Sequence, residues 1–69
     1  MYKLTIEYYE NKDIETMTFK KAVPCIDAYN ALLTEYTEVY ANCRIEIGPT
    51  FFVIHDGSKP IINVWYTKK

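Results

Sequence analysis

The chain is poor in the residues on which several kinds of functional site depend. Its 69 residues include one histidine, two cysteines and two glycines. Two glycines are too few for a glycine-rich loop that cradles phosphate, and one histidine with two cysteines falls short of the usual four-ligand zinc set. We therefore expect no metal site and no cofactor, and we interpret the protein as a non-enzyme.

The chain also lacks a charge excess and a long apolar run. Eight Lys and Arg residues stand against nine Asp and Glu, giving a formal net charge of −1, whereas general nucleic-acid-binding domains are usually strongly basic. No stretch is apolar enough to span a membrane or to act as a signal peptide. Cys25 and Cys43 have neither CxxC spacing nor the number of a secreted disulfide framework. These features predict a soluble cytoplasmic protein that does not contact membranes.

Two candidate arrangements for chemistry remain. A nucleophilic site would need His55 beside Cys25 or Cys43, but the apolar alternation directs the cysteines to a buried side and His55 to the opposite side. Four acidic residues surround the first turn and could bind a cation or supply an acid and a base: Glu7, Glu10, Asp13 and Glu15. They lack the glycine spacing of a calcium loop, so we interpret them as a solvated hairpin tip.

Aromatic residues and periodic apolar patterns are what the chain does have, with seven Tyr, three Phe and one Trp. Alternation with period two predicts strand one from Tyr2 to Tyr9, and a more polar strand two around Met17 and Phe19. A helix should begin beside Pro24, where proline is tolerated. Its apolar stripe is predicted to comprise Cys25, Tyr29, Leu32 and Tyr36, flanked by Ala28 and Leu33.

Three further strands are expected after the helix. Residues 39–47 alternate and predict strand three, whereas residues 51–54 and 61–66 are nearly continuous apolar runs. A two-residue loop at Gly48-Pro49 would pair Ile47 with Thr50 and Ile45 with Phe52.

The turn at residues 55–58 decides which face strand five presents to the helix. A three-residue loop with Gly57 in the left-handed conformation would place Ile62, Val64 and Tyr66 on the face of Phe52 and Ile54. A loop with an even number of residues would reverse this assignment.

The predicted fold class is therefore α+β, with element order ββαβββ in a single domain over residues 1–69. One helix packs on one face of a five-stranded, mainly antiparallel sheet. The strand orders 2-1-3-4-5 and 2-1-5-4-3 both remain possible. Lys68 and Lys69 are interpreted as a solvated tail.

The apolar runs exceed what one helix can cover, because side chains of a strand point alternately to both faces. Left on the outer face are Phe51, Val53, Ile61 and Trp65, with Arg44 nearby. Exposed apolar patches of this kind usually bind other molecules. We therefore predict a protein-binding surface anchored first by Trp65 and then by Phe51, since aromatic residues often dominate interface energetics.

The function predicted from these features is a small, non-catalytic protein–protein interaction module. Its outer sheet face would bind a partner protein, a second copy of the chain, or both. By size and architecture alone, the chain is comparable to the small inhibitor proteins with which phages and mobile elements block host machinery. One alternative is a sheet that binds single-stranded nucleic acid by stacking bases on Phe51, Tyr40 or Trp65 near Arg44 and Lys59. The other is a homodimeric structural subunit of a larger assembly.

Overall fold

The computed structural model of the protein describes residues 1–68 as five strands and one helix. The elements in chain order are β1 (Tyr2–Tyr8), β2 (Asp13–Phe19), α1 (Ala22–Val39), β3 (Arg44–Ile47), β4 (Phe51–Asp56) and β5 (Lys59–Lys68). The strands form one sheet in the order β2-β1-β5-β4-β3, and every neighbouring pair is antiparallel. The α+β prediction with order ββαβββ is confirmed, and the second of the two strand orders is found. Lys68 belongs to β5, and Lys69 lies outside the described residues.

The helix covers one face of the sheet, over β1, β5 and β2. The helix begins at Ala22, two residues before Pro24, so Pro24 is the third helical residue and not, as was predicted, the first. The apolar stripe is confirmed, because Cys25 and Tyr29 are buried and the other predicted members are half-buried against the core. The resulting core comprises Leu4, Ile6, Cys25, Tyr29, Phe52, Ile54, Ile62 and Val64.

The prediction that strand three starts at Val39 is wrong. The helix continues through Val39, and β3 starts only at Arg44. The Tyr40 N–H donates to the Tyr36 carbonyl at 2.8 Å, and the two rings lie 5.8 Å apart in an edge-to-face arrangement. These contacts hold the helix end where alternation alone also fitted a strand.

The β3–β4 hairpin turns one residue later than predicted. The Gly48 N–H donates to the Phe51 carbonyl at 2.8 Å, so the loop consists of residues 49 and 50. Ile47 therefore pairs with Phe52 and Ile45 with Ile54. The predicted register was wrong by two residues, but a shift of two leaves every side chain on its predicted face.

The β4–β5 hairpin reaches the predicted face assignment by another route. Asp56 pairs with Lys59, so the loop has two residues, and Gly57 is left-handed with φ +67°. An even loop should reverse the faces, but a β-bulge follows: Pro60 pairs with His55 and Ile62 with Ile54. The extra residue, Ile61, restores the alternation. The predicted loop length was therefore wrong, whereas the predicted alignment of β5 is confirmed.

Candidate functional site

The outer face of the sheet carries a group of three apolar side chains that we call the outer patch: Phe51, Val53 and Trp65. Phe51 pairs with Trp65 across β4 and β5, and Val53 pairs with Asn63 in the same two strands. The patch and Asn63 line a shallow depression together with residues 50, 66 and 67. Residues 1–68 contain a single helix, and it packs on the opposite face. The outer patch is therefore not covered by any helix in the described chain.

Side chains on this face shield one another laterally. All three patch residues are half-buried. Thr5 lies opposite Trp65 and Thr16 in the register, and only 6% of its surface is exposed. A Thr buried to this extent on an uncovered face has large neighbours in its own sheet. The outer patch is thus a surface whose side chains pack against neighbours in the sheet.

Gly48 allows Phe51 to lie across the β3–β4 turn. A Cβ atom built on Gly48 would overlap the Phe51 ring, with the Phe51 Cζ atom 2.5 Å away. Only glycine leaves space for this close approach. Gly48 therefore permits the observed position of the Phe51 ring, a role that the turn prediction did not include.

A buried polar atom lies beside the patch. The Asn63 side-chain oxygen, Oδ1, is buried and accepts no hydrogen bond from the described residues. Asn63 lies between Val53 on β4 and Glu7 on β1. An unsatisfied buried acceptor costs free energy, and its burial also shields this atom from direct contact with a bound molecule.

Charged residues of both signs form the rim of the outer patch. His55 Nε2 and Glu46 Oε1 are 3.2 Å apart, and Arg44 lies opposite His55 on the edge strand β3. Lys3 and Glu7 lie on the β1 side, paired with Thr67 and Asn63 of β5. The rim is therefore polar and mixed in charge, which is typical of protein interfaces.

The structure brings together three of the five predicted binding residues. Trp65, Phe51 and Val53 form the outer patch, and exposed Arg44 lies on its rim. Ile61 is separate, because the bulge turns it to pack against the core and to line depressions at the end of the sheet. Its predicted membership of the outer patch followed from uninterrupted alternation, which the bulge breaks. Partner binding by these residues remains a prediction.

A depression that the sequence interpretation did not identify lies between the two hairpin ends. It has a volume of about 390 Å³ and is lined by residues 9, 10, 56, 59, 60 and 61. Glu10 and Asp56 supply carboxylates, and the Tyr9 N–H donates to the Ile61 carbonyl at 3.0 Å. Only the strand order brings these residues together, so no local sequence signal could have identified this depression.

The residues of each of the two candidate arrangements for chemistry are divided between the two sides of the sheet. Glu7 lies on the outer face, whereas Asp13 and Glu15 lie on the helix side of β2. Within residues 1–68, no group of three or more His, Cys, Asp or Glu side chains is placed to hold a metal ion. Cys25 is buried in the helix interface, and this burial raises the pKa of its thiol. Cys43 is half-buried in the turn before β3, not in a strand as predicted.

Three tyrosine hydroxyls lie on the helix side of the sheet, those of Tyr8, Tyr29 and Tyr36. The Tyr36 and Tyr8 hydroxyl oxygens are 3.3 Å apart. Burial raises the pKa of Tyr36, and the hydrogen bond with Tyr8 raises it further. Burial also raises the pKa of Tyr29, whose hydroxyl has no partner among the described residues. These hydroxyls face the core, so they do not contribute to the outer patch.

Comparison with known proteins does not connect this arrangement to a family. No protein-family model, curated protein or solved structure matches the chain significantly. The helix of the described chain is not apolar enough to cross a membrane. The case for a function therefore depends on the geometry of the sheet.

Proposed function

We propose that the protein is a non-catalytic module that binds a partner protein through the outer patch and its rim. The observation that carries this proposal is the position of Trp65 and Phe51 side by side on a sheet face without a covering helix. Such rings offer a large apolar area with little rotational freedom to lose on binding.

The size of the face is compatible with this role. A standard protein interface takes roughly 800 Å² from each partner, and the whole chain has an accessible surface of 4784 Å². The patch alone is too small for such an area, so the rim must take part. An apolar centre within a polar rim is the usual anatomy of an interface, and its binding energy is concentrated in a few aromatic residues.

The charge pattern favours protein over nucleic acid as the partner. Glu7 and Glu46 lie on the same face as Lys3 and Arg44, so phosphate groups would approach carboxylates as well as cations. Phosphate contacts dominate nucleic-acid affinity and make it strongly dependent on salt. We therefore expect binding through the patch to persist when the salt concentration rises.

A module of this kind acts by occupying a surface of its partner. This action is compatible with the hypothesis that the protein inhibits host machinery, as small phage-encoded inhibitors do. The hypothesis rests on size and architecture alone, and identification of the bound partner is what tests it.

The experiment is capture of partners from a lysate of the source cells with immobilised wild-type protein and three variants. Trp65→Ala and Phe51→Glu alter the patch, whereas Val23→Ala is the matched control because Val23 is 68% exposed on the helix. We expect proteins that bind wild type and Val23→Ala at high salt but not the two patch variants. Capture that is equal for wild type and Trp65→Ala would contradict the proposal. Loss of binding at high salt or after nuclease treatment would favour the nucleic-acid alternative.

A further inference from the structure

The exposed edge of the sheet at β2 is open to pairing with another strand. β2 has seven residues, six of which are exposed, and it contains neither proline nor a register shift. The opposite edge, β3, has four residues and ends directly before Gly48-Pro49. Edge strands that are long and regular are templates for strand addition. Of the two edges, β2 is therefore the better template.

The backbone hydrogen bonds of β1 show which backbone groups of β2 point to the free edge. The Tyr9 N–H donates to the Ile61 carbonyl, so odd-numbered residues of β1 bond to β5. Alternation then directs its even-numbered residues to β2. Their partners are Asp13, Glu15, Met17 and Phe19. The N–H and C=O groups of the intervening residues, Ile14, Thr16 and Thr18, consequently point to the free edge.

We propose that this edge pairs antiparallel with β2 of a second copy, with Thr16 on the two-fold axis. Thr16 then lies opposite Thr16, and Ile14 lies opposite Thr18 on both sides of the axis. These three pairs exchange two hydrogen bonds each, six in all, and use every outward backbone group of the strand. The product is a continuous ten-stranded sheet with two helices on one face.

The side chains of β2 suit a second copy of the chain in antiparallel orientation. Acidic residues, Asp13 and Glu15, occupy the beginning of the strand, and basic residues, Lys20 and Lys21, follow its end. None of the four forms an ion pair within residues 1–68. Antiparallel pairing brings the acidic end of one copy to the basic end of the other, whereas parallel pairing would bring like charges together. A like-charge pair, Lys12 with Lys20, falls beyond both strand ends.

No like charges face each other within the paired strands. On the helix side Glu15 lies opposite Met17, and Asp13 lies opposite Phe19. Inward-facing carboxylates on an edge normally discourage strand addition. In the proposed pair, Lys20 and Lys21 of the second copy directly follow Phe19, so a basic end lies next to Asp13. The outer patch is on β4 and β5, so the dimer leaves it free.

The test is the mass of the protein in solution across a range of concentrations, for wild type and for charge variants at the axis. Wild type should rise from 8.1 kDa toward twice that mass. Thr16→Lys and Thr16→Glu should each remain at the monomer mass, because each places like charges directly opposite across the axis. An equimolar mixture of the two should return to the dimer mass. Thr16 is exposed, so circular dichroism should show that both variants fold.

Two matched controls complete the design. Thr16→Val retains the backbone N–H and carries no charge, so it should dimerise like wild type. Trp65→Ala should also dimerise, which separates this proposal from the proposed function. A wild type that stays at the monomer mass throughout would overturn the proposal. So would a Thr16→Lys variant that dimerises like wild type, or a mixture of the charge variants that stays monomeric.

Discussion

Phe51 and Phe52 are adjacent in sequence and lie on opposite faces of the same sheet. Phe52 is fully buried, with its ring centroid 5.5 Å from that of Tyr29 and 6.2 Å from that of Tyr36. Phe51 is half-buried and lies across Gly48 on the outer face. Phe52 thus packs against tyrosines of the helix, whereas Phe51 lies beside residues of the sheet. One face contributes mainly to stability, and the other remains available for binding.

Alanine substitution of each phenylalanine is the most direct way to test this difference. Phe52→Ala should lower the free energy of unfolding by about 3–5 kcal/mol, because it leaves a cavity beneath the helix. A chain of 69 residues has a total stability of roughly 3–10 kcal/mol, so this loss takes a large share of the total. Phe51→Ala should cost roughly 1 kcal/mol, the average for point substitutions. Urea unfolding followed by circular dichroism measures both values.

Equal losses for the two variants would contradict the division between the faces. The matched control is Trp65→Ala, which should resemble Phe51→Ala in stability and, like it, weaken partner capture.

Substitution of Gly48 sharpens the comparison on the outer face alone. Gly48→Ala should cost about 1–3 kcal/mol, because the new methyl group displaces the Phe51 ring. The double variant Gly48→Ala with Phe51→Ala should lose less than the sum of the single losses, since the overlap is absent without the ring. Unfolding in urea provides all three values. Strict additivity would show that the ring and Gly48 do not share the space between β3 and β4.

The smallest expected effect is a dependence of stability on pH, caused by tyrosines on the helix side of the sheet. Burial raises the pKa of Tyr36 and of Tyr29 above the ordinary value of 10.0, so the folded state holds these protons more tightly than the unfolded state. The resulting stability is complete below about pH 10 and is lost as the pH rises through the raised pKa values. The free energy of unfolding should therefore fall above about pH 10.

The free energy of unfolding of Tyr36→Phe should fall less steeply above about pH 10. At neutral pH it should be about 0.5–1.5 kcal/mol below that of wild type, because the hydrogen bond with Tyr8 is lost. Trp65→Phe is the outer-face control and should keep the wild-type slope. Thermal unfolding at a series of alkaline pH values measures the slopes. Identical slopes for wild type and Tyr36→Phe would show that the loss of stability at alkaline pH comes from other groups.

The periodic patterns predicted the elements and the faces, because both follow from local alternation. Strand order was open, since pairing β1 with β5 or with β3 satisfies the same alternation. The end of the helix was missed because Val39 and Ala41 fit either period. The turn around Gly48 was placed one residue early because Gly-Pro is a strong turn signal, whereas the actual turn uses residues 49 and 50 and Gly48 accommodates the Phe51 ring.

Ile61 was wrongly predicted to belong to the candidate site, because no local sequence pattern indicates the bulge at this residue. Ile61 continues an apolar run without interruption, so the sequence placed it beside Trp65. The bulge instead turns it toward the core and the hairpin-end depression. Phe51, Val53 and Trp65 were placed on the outer face correctly, because neither the two-residue shift in the β3–β4 register nor the bulge changes the face of these three residues. Lateral packing, as seen at Thr5, depends on the assembled sheet and has no local signal.

The strand order also sets the sequence of events in folding. β5 is the last strand along the chain, and it lies between β1 and β4 in the sheet. The β1–β2 hairpin and the β3–β4 hairpin can each form from neighbouring residues, but joining them requires β5 to close a loop of about fifty residues to β1. Until β5 emerges from the ribosome, the nascent chain can therefore form the two hairpins and the helix but no continuous sheet beneath the helix. The sheet of this protein can consequently be completed only after β5 has been synthesised.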